Sequence, residues 1–267
     1  MARPLPALMV APNGARRSKA DHPALPMELD ELVETARACH RAGARGIHLH
    51  VRDKDGLHSL DVGQYREAVA AVEQAVPGFF VQVTSESAGR FGVAAQMQMI
   101  RDLRPHSVSL ALRELLRAPI DEARDFYHWA RDAGICIHHI AYSPKELGDI
   151  LHHIDNGLIP GRDHQVQLVL GTYDGSDPSR PQDIDAYQAL IDPRKGDLAL
   201  DWMICAFGPA ETACLVETAR RGGKMRVGFE NSLWNADGTL AKDNAARVAE
   251  VVAALKAAGQ TLSPDDR

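Results

Sequence analysis

The stretch Gly46-Ile47-His48-Leu49-His50-Val51-Arg52 reads as a buried β-strand. Side chains two apart on a strand point to the same face. Ile47, Leu49 and Val51 therefore share one face, and His48, His50 and Arg52 share the other. Two imidazoles and a guanidinium are costly to bury without partners. A divalent metal ion is a ready partner, because neutral imidazole is its commonest protein ligand. A pair of hydrogen-bonded core histidines is the alternative.

Seven similar runs flank this one: Ala7–Pro12, Phe79–Ser85, Ser107–Leu112, Ile135–Tyr142, Gln165–Gly171, Leu198–Phe207 and Met225–Glu230. Amphipathic stretches of helical length separate them. In Glu28–Arg41, Leu29, Leu32, Val33 and Ala36 follow i, i+3, i+4, i+7 spacing. The others are Val62–Val76, Val93–Leu103, Ile120–Ala133, Pro144–Asn156, Pro181–Ile191, Pro209–Arg221 and Lys242–Ala258, and Gly43, Gly134, Gly157 and Gly222 stand where helices should stop. Strand–helix alternation repeated eight times predicts an α/β fold, a (β/α)8 TIM barrel in one domain over residues 1–267. A doubly wound open sheet is the runner-up, but no G-x-G-x-x-G follows any strand, so a dinucleotide fold has no support. In the barrel, chemistry belongs at the C-terminal ends of the strands, where His48 and His50 lie.

The composition narrows the class. Net charge is −6 with no basic cluster, which argues against a nucleic-acid partner. No run approaches the length of a membrane span. Cys39, Cys136, Cys205 and Cys214 show no C-x-x-C spacing, so a disulfide framework is not expected and a cytoplasmic setting is. The first apolar stretch, Leu5–Val10, ends at Pro12 and reads as a strand rather than a signal peptide. Thr261–Arg267 reads as a polar tail.

The last strand adds Arg226-Val227-Gly228-Phe229-Glu230-Asn231. By alternation Arg226 and Glu230 face inward. With His48 and His50, Glu230 completes a His2Glu set of three protein ligands with positions left open, the pattern of a catalytic zinc site. An Arg226–Glu230 ion pair is the competing reading. Thr84 is inward by parity with Gln82. The first loop, Asn13-Gly14-Ala15-Arg16-Arg17-Ser18-Lys19, carries three cations and suits an anionic substrate, or is simply a solvated basic loop. Arg113 is inward by parity with Ser107 and Ser109 and could fork a carboxylate. One of His138 and His139 faces inward, as a core residue or a support for a ligand. No lysine except Lys19 lies near a strand's C-terminal end, which disfavours a Schiff-base aldolase.

At these residues the chain resembles the β-keto acid cleavage enzymes, whose founding activity is 3-keto-5-aminohexanoate cleavage. The resemblance runs through Ala11-Pro12-Asn13-Gly14-Ala15, Leu25-Pro26, Ala42-Gly43-Ala44, His48-Leu49-His50-Val51-Arg52-Asp53, Asp55-Gly56, Tyr142-Ser143-Pro144-Lys145-Glu146-Leu147, Leu168-Val169-Leu170-Gly171 and Arg226–Asn231. The His-Leu-His-Val-Arg-Asp run together with the strand-eight run is the specific part. The resemblance implies a homotetrameric barrel with one zinc ion on His48, His50 and Glu230. It implies condensation of a small β-keto acid with acetyl-CoA as cosubstrate, giving acetoacetate and a new acyl-CoA by a retro-Claisen route. Arg226, Asn231 and the hydroxyls of Thr84 or Ser85 match its catalytic apparatus.

Three departures bear on substrate and base. The family's aspartate after the metal-binding glutamate is Asn231, and an amide cannot act as a general base. Its acidic residue in the first loop is Arg16. Its small polar end of strand four is Leu112-Arg113-Glu114. Asn13, Arg16, Glu86 and Arg113 are expected to contact substrate; the metal, Arg226 and the strand-three hydroxyls can polarise the ketone without a protein base, and Glu86 and Glu114 are the candidates if another carboxylate has taken that role. A metal-dependent hydrolase of the amidohydrolase type, which carries its His-x-His on strand one, and a non-catalytic metal- and ligand-binding barrel are the alternative functions.

Overall fold

The computed structural model describes residues 3–260 and Leu262. The expected polar tail, Leu262 apart, lies outside the described residues. In chain order the elements begin with β1 (Leu8–Val10), α1 (Leu29–Ala42), β2 (Gly46–Leu49), β3 (Val51–Arg52), β4 (His58–Ser59), α2 (Val62–Ala75) and β5 (Phe80–Thr84). They continue with α3 (Val93–Leu103), β6 (Ser107–Ala111), α4 (Leu112–Leu115), α5 (Ile120–Asp132), β7 (Cys136–Ala141) and α6 (Pro144–Asp155). The last are β8 (Asp163–Leu170), α7 (Ile184–Ile191), β9 (Ala199–Ala206), α8 (Glu211–Arg220), β10 (Lys224–Val227) and α9 (Asn244–Ala257).

Eight strands close into a parallel barrel in the order β1-β10-β9-β8-β7-β6-β5-β2, as the alternation predicts. Their outward side chains, such as Val10, Ile47, Leu49, Val83, Val108, Val166, Leu168, Ile204 and Val227, are buried with apolar residues of the helices. Local signals fix several helix starts. Asp61, Ser143 and Asp243 each accept a backbone N–H at the start of α2, α6 and α9, and Pro144 fits the first turn of α6. The lower interior is plugged by Leu5, Met9, Phe80 and Met203. Above that plug the interior is polar. Among the described residues no helix is long and apolar enough to cross a membrane.

Three strand ends differ from the sequence reading, each for a local reason. The second strand stops at His50, whose N–H and C=O are both taken by the Asn13 side-chain amide instead of a neighbouring strand. Val51–Arg52 then pairs antiparallel with His58–Ser59 outside the barrel. The fourth strand ends at Ala111 and turns directly into α4, so strand parity does not apply to Arg113. The eighth strand ends at Val227, and Glu230 sits in the turn that follows. Gly228 opens that turn at φ 138°, and a Cβ there would lie 2.5 Å from the Ala11 carbonyl oxygen, so only glycine fits.

Candidate active site

His48 Nε2 and His50 Nε2 lie 3.1 Å apart, and Glu230 Oε2 is 3.6 and 3.5 Å from them. A tetrahedral zinc ion with bonds near 2.0–2.1 Å places its ligand atoms about 3.3 Å apart. The donor set therefore fits such an ion. His48, His50 and Glu230 form the one group of three potential ligands found among the described residues.

Hydrogen bonding fixes which imidazole nitrogen is free. His48 Nδ1–H donates to Gln82 Oε1 at 2.9 Å, which leaves Nε2 with its lone pair. His58 Nε2–H donates to the Glu86 carbonyl at 3.0 Å, so His58 Nδ1 accepts from His50 Nδ1–H at 3.4 Å, and His50 Nε2 is also a lone pair. Two lone pairs facing each other cannot hydrogen-bond, and Glu230 Oε2 is buried with no donor. A cation satisfies all three atoms. Burial pushes His48 down to about 3 and His50 to about 4, with Glu230 opposing in both cases, so the rings are neutral at physiological pH. Burial works against ionising Glu230, but Arg226 and the two histidines hold its carboxyl well below the usual range. Arg226 Nη2 donates to Glu230 Oε1 at 3.0 Å. The ion pair and the ligand set, which are competing readings of the sequence, thus use different oxygens of one carboxylate.

The turn that carries Glu230 is held by residues that no sequence motif singles out. Glu211 Oε1 accepts the Gly228 N–H, and Asn244 Oδ1 accepts the Phe229 N–H while its Nδ2 donates to the Pro12 carbonyl. Arg247 pairs with Glu211 at 2.7 Å, both fully buried. Their only sequence signal is position, since Glu211 opens α8 and Asn244 opens α9. Gly14 also serves Glu230. It has φ +60°, and a Cβ would lie 2.7 Å from Glu230 Cγ. Its lack of a side chain makes room for the glutamate rather than for a substrate.

A cavity of about 450 Å³ opens onto this set and is lined by His48, Thr84, Glu86, Ser109, Arg226 and Glu230, with Arg16, Arg113, Tyr142 and Tyr173 further out. A larger depression of about 550 Å³ lies at the other end of the barrel, near Arg3, Phe80 and His106, away from those groups. Thr84 Oγ1 accepts from the Glu86 N–H and from Ser109 Oγ, so its own proton is left for a ligand. Ser109, not anticipated as a site residue, is found through this contact.

Several expected residues do other work. Ser85 Oγ donates to the Ser109 carbonyl and does not line the cavity. Asn13 braces His50 and the Pro26 carbonyl. Of the three loop cations, Arg17 donates to the Phe229 carbonyl and Lys19 pairs with Glu31, so Arg16 alone reaches the cavity. Arg52 leaves the inner face and clamps that loop through the carbonyls of Asn13, Gly14, Ala15 and Arg17. Arg113 reaches the rim from α4, stacked 3.8 Å from the Tyr142 ring centre and paired with Glu146. Asn231 is fully buried, and neither its Oδ1 nor its Nδ2 has a partner among the described residues. His138 is the inward member of its pair and reaches His48 through Gln82, while His139 turns toward Tyr127.

A family model described as beta-keto acid cleavage enzyme matches residues 7–266. The 3-oxoadipate:acetyl-CoA acetyltransferase of Cupriavidus necator is 27% identical over 269 residues, covering 96% of this chain and 90% of the relative. The 3-keto-5-aminohexanoate cleavage enzyme of Fusobacterium nucleatum is 23% identical, covering 95% and 92%. Among solved structures, a ternary complex of ObcA with a C4-CoA adduct and oxalate aligns at TM-score 0.71 and 16% identity over 90% of this chain, which spans 65% of that one. The type I 3-dehydroquinate dehydratase of Clostridium difficile aligns at TM-score 0.61 and 8% identity, covering 98% of this chain and 95% of that one. These structural likenesses concern the barrel fold. The match over nearly the whole chain is that of a β-keto acid cleaving enzyme, and the chain belongs to the β-keto acid cleavage enzyme family.

Proposed function

We propose that this enzyme uses one zinc ion to condense a β-keto acid with acetyl-CoA, releasing acetoacetate and a new acyl-CoA. The observation that carries the metal is the orphaned donor set, two imidazole lone pairs and a carboxylate oxygen within 4.8 Å of one another. His48, His50 and Glu230 would hold the ion, which would supply Lewis acidity toward the substrate when bound. Thr84 donates its hydroxyl proton to a substrate oxygen, with Ser109 keeping it oriented. Arg226, whose Nη2 donates to Glu230 Oε1 and lies 3.4 Å from Cys205 Sγ, keeps an unpartnered Nε–H beside the reacting groups. Asn231 brings a buried amide whose unmet hydrogen bonds cost free energy until a ligand or ordered water meets them.

The substrate's far end meets Arg16, 59% exposed at the cavity mouth and 3.9 Å from Glu86. The name of the Cupriavidus necator relative specifies 3-oxoadipate, a β-keto acid with a second carboxylate. A cation at Arg16 suits that class better than an amino-bearing keto acid. The four free cysteines fit a cytoplasmic enzyme, and the homotetramer implied by the family belongs to the same reading and is checked by light scattering.

The test is a panel of neutral, acidic and amino-bearing β-keto acids offered with acetyl-CoA to the zinc-loaded protein, reading acetoacetate and acyl-CoA by mass spectrometry. Acyl-CoA formation, fastest with acidic substrates, is the expected result. Preference for amino-bearing substrates overturns the specificity. No acyl-CoA from any member overturns the reaction and favours a binding protein.

A further inference from the structure

We propose that Glu86 is the proton acceptor and donor of the reaction, replacing the carboxylate that Asn231 cannot supply. The proposal rests on the condensation reading above. Four carboxylates line the cavity, and three are committed. Glu230 faces the histidines and Arg226. Glu114 accepts from Ser87 Oγ, Ser87 N–H and Gln96 Nε2. Glu146 accepts from Arg113 and from the Tyr142 N–H. Glu86 alone has no hydrogen bond to its carboxyl among the described residues, only Arg16 at 3.9 Å.

The backbone of Glu86 is nonetheless fixed on both sides of the peptide. Its N–H donates to Thr84 Oγ1, and its carbonyl accepts from His58, which also orients His50. The carboxyl is therefore free to exchange a proton while its anchor is tied to the two groups that hold substrate and metal. The charged groups facing it are Glu230 and Arg226 from the β10 side, Arg16 from the first loop, Arg52 from β3 and Glu114 from α4, with the titratable Tyr65 of α2 and Tyr142 after β7 beside them. Burial first, and then Glu230, push its carboxyl up to about 7. A cation on Glu230 removes the second cause and leaves burial, the larger one. A base with a pKa near the working pH is the effective kind.

The step balances. The Glu86 carboxylate takes a proton from the carbon between the keto and carboxylate groups, and the C–H electron pair becomes the enolate. That carbon attacks the thioester carbonyl of acetyl-CoA and expels CoA thiolate. The thiolate adds to the original keto carbon, the bond to the central carbon breaks, and the acyl-CoA departs. The remaining acetoacetate enolate takes the proton back from Glu86, so none is consumed.

The experiment compares the zinc-loaded wild type, Glu86→Gln and Glu86→Asp with 3-oxoadipate. It reads turnover with acetyl-CoA across pH, deuterium uptake at the central carbon in D2O without acetyl-CoA, bound zinc and melting temperature. Glu86→Gln should retain zinc and fold, lose about 10²–10⁴-fold in kcat and lose catalysed deuterium uptake. The wild-type rate should rise with pH as Glu86 ionises, at a midpoint above the ordinary carboxylate range that a cation on Glu230 brings below about 7, a limb that Glu86→Asp moves to lower pH and Glu86→Gln removes. A wild type that turns over while Glu86→Gln keeps its rate, or a limb unchanged in Glu86→Asp, overturns the role of Glu86 alone. A zinc-loaded wild type inert toward 3-oxoadipate and the rest of the panel overturns the condensation reading with it. If Glu86→Gln does not fold, the shifted or unshifted limb of Glu86→Asp decides.

Discussion

Two buried Glu–Arg pairs sit one turn apart in this molecule, and they differ in what they leave unmet. In Glu211–Arg247 both carboxylate oxygens are satisfied, one by Arg247 and one by the Gly228 N–H, and both side chains are wholly buried. In Arg226–Glu230 one oxygen is paired and the other faces two imidazole lone pairs across 3.5 to 3.6 Å. The carboxylate of the first pair is closed and holds a backbone turn. The second is open, and the turn that carries it is the one the first pair holds. A buried charge without a partner is costly, so the open half marks where a ligand's charge completes the site.

The largest effect expected from breaking the open pair is on metal. His48→Ala should release zinc and abolish turnover, as measured by elemental analysis alongside the assay. Stoichiometric zinc in a His48→Ala/Glu230→Ala double variant would sink the assignment of the ligands. Breaking the closed pair should act on folding instead. Glu211→Ala leaves Arg247 with Glu250 and Thr212 as partners but orphans the Gly228 N–H, and should cost about 1–3 kcal/mol in urea unfolding. Glu230→Ala should cost less, because Arg226 lines a cavity that admits water. Equal losses in the two variants would remove the distinction drawn between the pairs.

Smaller effects sharpen it. Gln82→Leu removes the acceptor that fixes the His48 tautomer and should weaken zinc binding about 10–100-fold with the fold intact. Competition titration against a chelator reads this, and an unchanged affinity would show that Gln82 does not select the tautomer. Gly14→Ala forces a Cβ against Glu230 in a left-handed backbone and should cost about 1–3 kcal/mol of stability. A loss of zinc affinity should accompany it, and an unchanged affinity would mean that Glu230 finds its place without that space.

What could be read in advance follows from period. Strand alternation placed His48 on the inner face with Gln82 and Thr84, because a barrel interior is a two-residue repeat. It also put Glu230 on the right side, although Glu230 lies past the strand and is aimed by a turn. The same rule does not account for Arg113, which reaches the cavity rim from a helix, because β6 becomes α4 at Leu112 and the parity is lost. It misassigned Arg52, because the strand breaks at His50, where an Asn13 amide replaces the neighbouring strand. Asn13, Arg17 and Lys19 looked available because their partners, the carbonyls of His50 and Phe229 and the Glu31 carboxylate, are distant or featureless in sequence. Glu211, Asn244 and Arg247 were invisible for the same reason.

The sequence by itself therefore determined the barrel, through eight repeats of strand and helix. It also determined the kind of chemistry, through residue types that are too costly to bury unless they bind something. Only the tertiary structure decided which nitrogen of each histidine is free and which oxygen of Glu230 is shared with Arg226. It alone decided that Glu86, of the four cavity carboxylates, has no side-chain hydrogen bond among the described residues. The physical reason is that side-chain identity and period are local properties, whereas satisfaction of a donor or acceptor depends on partners brought together by barrel closure. His48 and Glu230 are 182 positions apart in the chain and 3.6 Å apart in space.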